Sequence, residues 1–220
     1  TASTLTAQTI CEGEAPTYKA KATATAFAAT AKFDYILEAQ KSGTTNWIAV
    51  ETKSDVAPGT LYTFTGDALK TTDYNNAKVR VKYVYKNSLF PSVTGTAYSN
   101  EVTLTVKAPT VITTSPQAAA YCVGSTATPL SVVATGEGTL TYKWYSNTVD
   151  NTTTGTLIPS ATTATFTPPT AASGTTYYYV EVTGSCGQVK SATAKVEVLA
   201  KADLINIIAP AYTPITVCAN

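Results

Sequence analysis

Residues 176–184 read TYYYVEVTG and residues 191–199 read SATAKVEVL. In both, apolar and polar side chains alternate with a period of two, which is the signature of a strand with one face in a core. A short Gly-containing turn separates them, so they form an antiparallel pair. Working outward, the same pairing recurs earlier as AKVRVKYVYK (77–86) with SNEVTLTVK (99–107). Each closing pair follows a similar series. A short alternating strand comes first, YKAKATATAF (18–27) or PLSVVAT (129–135). An aromatic strand is next, KFDYILEAQ (32–40) or LTYKWYS (140–146). A Thr/Gly/Asn-rich loop and a short strand follow, LYTFTG (61–66) or ATFTPP (164–169). Short strands with turn signals every 8–12 residues or so specify an antiparallel β-sandwich.

The repeat is also marked by cysteines. QTICEG (8–13), AAYCVG (119–124) and ITVCAN (215–220) each place a cysteine after an apolar or aromatic residue. The intervals are close to the roughly 100 residues of an immunoglobulin domain. The reading is all-β, two tandem immunoglobulin-like antiparallel sandwiches over 1–107 and 111–200. Residues 203–220 are a C-terminal strand or the start of a third repeat. In immunoglobulin letters the series is B, C, E, F and G, with strand A ahead of the cysteine and beginning at Val111 in the second unit.

Composition narrows the function. Charged residues are 13% of the 220, and the net charge is +1. No field of one sign invites nucleic acid or an anionic membrane surface. The chain has no histidine, so the commonest general base and metal ligand is missing. With no CxxC either, Cys/His zinc sites are excluded. A calcium loop of the D-x-D-x-D kind is absent. The reading is therefore no enzyme, no cofactor and no metal. The longest apolar stretch, LINIIAPAY (204–212), is too short to span a bilayer. Four cysteines in a Thr-rich β sequence indicate an oxidising, extracellular setting.

Residues 119–199 closely resemble the Ig-like repeats of secreted and surface proteins of the Bacteroidota. The resemblance rests on YCVG (121–124), Trp144 in strand C, IPSATTATFTPPT (158–170), GTTYYYVEV (174–182) and Cys186-Gly187 in the F–G turn. Residues 8–107 resemble them more loosely, through Cys11-Glu12-Gly13, Trp47, YTFTGDAL (62–69) and YSNEVTLTV (98–106). The F–G turn of this half, NSLFPSV (87–93), departs by having no cysteine. The resemblance implies a bacterial surface or secreted location and a spacer, adhesin or scaffold role. Its expected partners are neighbouring repeats or a surface protein.

Strand direction places the cysteines. Cys122 lies ahead of strand B, at one end of its sandwich, and Cys186 lies in the F–G turn at the other. Strands of this length hold the two ends roughly 20 Å apart, whereas a disulfide needs Cα atoms within about 7 Å. The favoured pairing is therefore between domains, Cys11 with Cys186, leaving Cys122 for a repeat beyond this chain. Pairing of Cys122 with Cys186 stays open as the alternative.

Side-chain alternation assigns the remaining faces. Trp144 belongs to a core, and Trp47, which starts strand C′, is expected to pack between the sheets. Tyr178, Val180 and Val182 face inward. Tyr177, Tyr179 and Glu181, with Tyr145 and Lys143 on strand C, face outward. Tyr145, Tyr177 and Tyr179 are thus a candidate strip for stacking on glycan rings. Lys78, Arg80, Lys82 and Lys86 form a basic stripe, read as a solvated face that discourages edge pairing. Asn151-Thr152-Thr153 matches a glycosylation sequon. Leu204, Ile205, Ile207 and Ile208 are candidates for an assembly strand that pairs with a neighbouring subunit.

Overall fold

The computed structural model describes residues 3–24 and 29–200. The chain divides into two compact units, Thr1–Ala108 and Pro109–Asn220. The candidate assembly residues Leu204, Ile205, Ile207 and Ile208, and the whole segment 203–220, lie outside the described residues.

The first unit has β1 (Gln8–Cys11), β2 (Tyr18–Ala20), β3 (Ala31–Gln40), β4 (Trp47–Val56), β5 (Tyr62–Phe64), β6 (Ala77–Asn87), β7 (Gly95–Tyr98) and β8 (Val102–Lys107). One sheet runs β1-β8-β6-β3-β4, with β7 also on β6, and β2 pairs with β5 in the facing layer. β3 and β6 are the central strands. Their alternation puts Tyr35 and Leu37 opposite Tyr83 and Val81, and all four are at most 1% exposed. Phe64, Leu104 and Val106 close the core from the neighbouring strands.

The second unit repeats the plan with β9 (Val111–Thr114), β10 (Ala119–Cys122), β11 (Leu130–Ser131), β12 (Val133–Thr135), β13 (Thr141–Asn147), β14 (Thr156–Ile158), β15 (Thr165–Phe166), β16 (Gly174–Gly184), β17 (Gly187–Lys190) and β18 (Ala194–Leu199). Its main sheet runs β10-β18-β16-β13-β14, with β17 on β16. β11–β15 and β12–β9 form the facing layer. This is an immunoglobulin-like sandwich in each unit, and strand A of the second begins at Val111 as the sequence indicates.

Strand B is shorter and more broken than its alternation suggests. In the second unit it changes partner midway: β11 pairs with β15, while β12 pairs with β9 through a register shift at Val133/Ala134. Strand G is split in both units. Between β7 and β8, Ser99 N donates to Val81 O, and the Val81 N–H donates to the Ser99 Oγ in place of a carbonyl, each at 2.9 Å. Between β17 and β18, Ser191 does the same with Val180, the bond to its Oγ at 3.0 Å. A serine side chain thus fills the gap that the irregularity opens in the ladder.

Trp144 is fully buried against Phe166, and its Nε1 donates to Thr163 O at 2.8 Å, just ahead of β15. In the first unit Tyr35 does the equivalent work. Its hydroxyl accepts from Ala22 N at 2.8 Å and donates to Thr60 O at 3.2 Å, just ahead of β5. The core aromatic of strand C is therefore Tyr35, not the Trp47 that carried the resemblance.

Candidate functional site

The cysteine turns are built alike. Cys11 lies beside Lys107 at the end of β8, and Cys122 lies beside Leu199 at the end of β18, both in parallel register. The following N–H, of Glu12 or Val123, donates to the carbonyl of Lys107 or Leu199 at 2.9 Å. The next, of Gly13 or Gly124, donates to Lys70 O or Thr170 O, and the one after returns to the cysteine carbonyl. Gly13 and Gly124 have φ of 90° and 78°, the left-handed region that excludes most side chains. The C-x-G pattern is thus a backbone requirement: the glycine lets the chain turn out of strand A beside the exit of strand G.

Cys186 belongs to the opposite end of its unit. It lies in the turn between β16 and β17, where Gly184 pairs with Gly187. That turn is locked to the start of the domain. Thr110 N donates to Cys186 O at 3.2 Å, Thr110 Oγ1 donates to Gly187 O at 2.9 Å, and Ser185 N donates to Glu137 O at 2.9 Å. Thr110 is buried, and the sequence reading missed it; the small residues packed on it, Gly136 and Gly184, are the signal that was there.

Cys11, Cys122 and Cys186 are all disulfide-bonded. The expectation that Cys122 waits for a repeat beyond this chain is therefore corrected. The two cysteines of the second sandwich stand far apart. Cys122 is level with Leu199, next to the Gly174 end of β16, and Cys186 follows its Gly184 end. Ten residue steps of strand separate the two levels by roughly 33 Å.

The outward tyrosine strip is not as the alternation indicates. Tyr179 is 1% exposed and Glu181 9%. Tyr179 stacks on Tyr145 with centroids 4.9 Å apart and planes 7° from parallel. The Lys190 ammonium lies 5.6 Å from the Tyr179 centroid and donates to Thr152 O at 2.9 Å. The loop between β13 and β14 covers the stack. A Cβ on Gly155 would meet the Tyr179 ring at 2.6 Å. Tyr145 and Tyr177 remain half-buried. Within that loop, Asn151 Oδ1 accepts from the backbone N–H of Thr153 and Thr154 at 3.0 and 3.1 Å. The sequon asparagine thus organises its own turn.

On the first unit's outer face three of the four cations of the basic stripe, Lys78, Arg80 and Lys86, are ion-paired. Arg80 Nε donates to Glu38 at 2.9 Å, Lys78 pairs with Glu101 at 3.5 Å, and Lys86 pairs with Asp34. The Arg80 guanidinium is sandwiched between the rings of Trp47 and Tyr98, 3.9 and 4.1 Å from their centroids. Trp47 is therefore half-buried on the outside of the sheet rather than packed between the sheets. Stacking on a planar cation supplies the cover that a core would have given.

Among the described residues no group of three or more His, Cys, Asp or Glu side chains converges to hold a metal ion. A depression of about 460 Å³ beside the F–G turn of the first unit is lined by Lys32, Asp55, Lys86, Asn87, Ser88, Pro91 and Thr94. It presents a single carboxylate and no acid pair. No helix among the described residues is long and apolar enough to cross a membrane.

Comparison of the fold finds tandem immunoglobulin domains. Three Ig domains of titin, in an E-to-A mutated variant, match with a TM-score of 0.54 at 16% identity. An I-band fragment of titin matches with 0.51, also at 16%. Each match covers 90% of this chain and 64% of the titin chain, so the protein spans about two thirds of those fragments' length. Extracellular domains 3–5 of Drosophila OTK match at 14% identity and a TM-score of 0.45, over 90% of this chain and 60% of that one. No curated protein matches the sequence. Residues 111–200, the second sandwich, match the family model described as Domain of unknown function (DUF8696).

Proposed function

We propose that this chain is an extracellular, non-catalytic spacer module of a bacterial surface or secreted protein, stiffened by a disulfide between Cys11 and Cys186. The bonded state of the cysteines carries the reading, since such bonds persist in oxidising compartments. Of the three ways to pair four cysteines, one requires Cys122 with Cys186, at opposite ends of one sandwich. A second requires Cys11 with Cys122. Cys11 is fixed beside Lys107, and Cys186 beside Thr110, three residues further along. Three Cα steps reach at most about 11 Å. Adding roughly 5 Å for each pairing leaves Cys11 at least ~10 Å short of the level of Cys122. The remaining set joins Cys11 to Cys186 across the link.

Such a bond closes a long loop, which in the entropic account stabilises by roughly 5 kcal/mol. Its mechanical effect is to fix the joint, so that whatever the module carries is held at a set distance and angle. The resemblance to Bacteroidota repeats supports the bacterial surface, where neighbouring repeats or a protein partner would be engaged. The glycan-strip reading loses support because Tyr179 is covered. Small-angle scattering tests the spacer role: the Cys11→Ser, Cys186→Ser double variant should broaden the distribution of interdomain distances relative to the native protein. An unchanged distribution contradicts a disulfide-stiffened joint.

A further inference from the structure

We propose that the free edge of β4 pairs with β4 of a second copy of this chain, antiparallel and about a two-fold axis at Thr52. The inference is independent of the disulfide reading. β4 is the edge of its sheet and is ten residues long, whereas its counterpart β14 has three. Among the described residues, no backbone group from Trp47 to Ser54 bonds any strand but β3. Such an edge is a template for another strand.

Charge chooses the partner and its register. Antiparallel pairing about Thr52 sets Thr52 opposite Thr52 of the other copy, and Glu51 opposite Lys53 twice. Thr–Thr and opposite-charge pairs are favourable cross-strand neighbours. An axis one residue earlier would oppose Glu51 to Glu51, and one residue later Lys53 to Lys53. Glu51 and Lys53 already lie on the same side of the strand: Glu51 accepts from the Tyr62 hydroxyl at 2.9 Å and from Thr65 N and Oγ1 at 3.0 and 3.3 Å, and Lys53 Nζ is 5.9 Å from the Tyr62 ring centroid. A carboxylate retains acceptor capacity beyond those bonds. The register with β3 shifts at Val50 and again after Lys53, where Asp55 at φ 56° leaves the extended conformation, so Glu51–Lys53 form the regular centre of the contact. Three residues a side make a weak interface, significant where many copies are displayed together.

Sedimentation equilibrium of the full chain, up to its solubility limit, tests this. The native protein should dimerise. Lys53→Glu and Glu51→Lys should each weaken self-association about tenfold, because each turns two attractive pairs repulsive. An equimolar mixture of the two variants should recover association, since every facing pair is then of opposite sign. That recovery also separates a charge effect from misfolding. A native protein that stays monomeric at all concentrations overturns the proposal. So does a dimer insensitive to both substitutions, or a mixture that fails to recover.

Discussion

Tyr18 is 2% exposed, and its hydroxyl has no hydrogen-bond partner among the described residues. Burial pushes its pKa up to about 12. In the unfolded chain the phenol ionises near its ordinary value of about 10. The contribution of its protonated form is therefore intact below pH 10 and is lost as pH rises towards 12. The loss is of order 2–3 kcal/mol. Tyr18→Phe removes an unsatisfied polar atom, so at neutral pH it should be neutral or stabilising by up to about 1 kcal/mol. Urea unfolding at pH 7 and pH 11 checks both parts: the variant should lose less stability than the native protein between the two. Arg80 makes the opposite case. Arg80→Lys keeps a cation near Glu38 but loses the planar stacking between Trp47 and Tyr98. It should cost about 1–2 kcal/mol and shift the Trp47 fluorescence. Sequence alternation placed Arg80 on the outer face correctly. The rings that cover it come from β4 and β7, so their convergence depends on sheet order rather than on local pattern.

At the scale of elements, strands C and F were legible because each is long and alternates against a core on one side; of the split strand G only the second half, β8 and β18, was, because β7 and β17 fall in what reads as the F–G turn. Strand B was not, because its two halves serve different partners. Tyr179 shows a second limit. Period-two alternation tells which sheet face a side chain takes, but a loop of Thr, Asn and Gly laid over that face can bury it. Gly155→Val should force that loop away from the Tyr145–Tyr179 stack. It should destabilise the second domain by about 1–3 kcal/mol and change the near-ultraviolet circular dichroism. The split of strand G has a more local signature, a serine opening both SNEVTLTV and SATAKVEV. Ser191→Ala would leave the buried Val180 amide one partner short, costing about 1–3 kcal/mol. Hydrogen exchange at the Val180 amide should accelerate, whereas general loosening would accelerate the whole strand.

For the whole molecule, the repeat, the sandwich class and the C-x-G turns could be read from the sequence because the left-handed glycine and the cysteine recur together. The sequence also separated Cys122 from Cys186 by strand direction. It did not reveal that Thr110 seats the link on the F–G turn, since that contact joins residues more than seventy positions apart. The central claim is that the link between two Ig-like domains is fixed by a disulfide. Peptide mapping of the non-reduced protein by mass spectrometry tests it most directly. The account predicts a linked peptide pair containing Cys11 and Cys186. A pair joining Cys11 to Cys122, or Cys122 to Cys186, would contradict it.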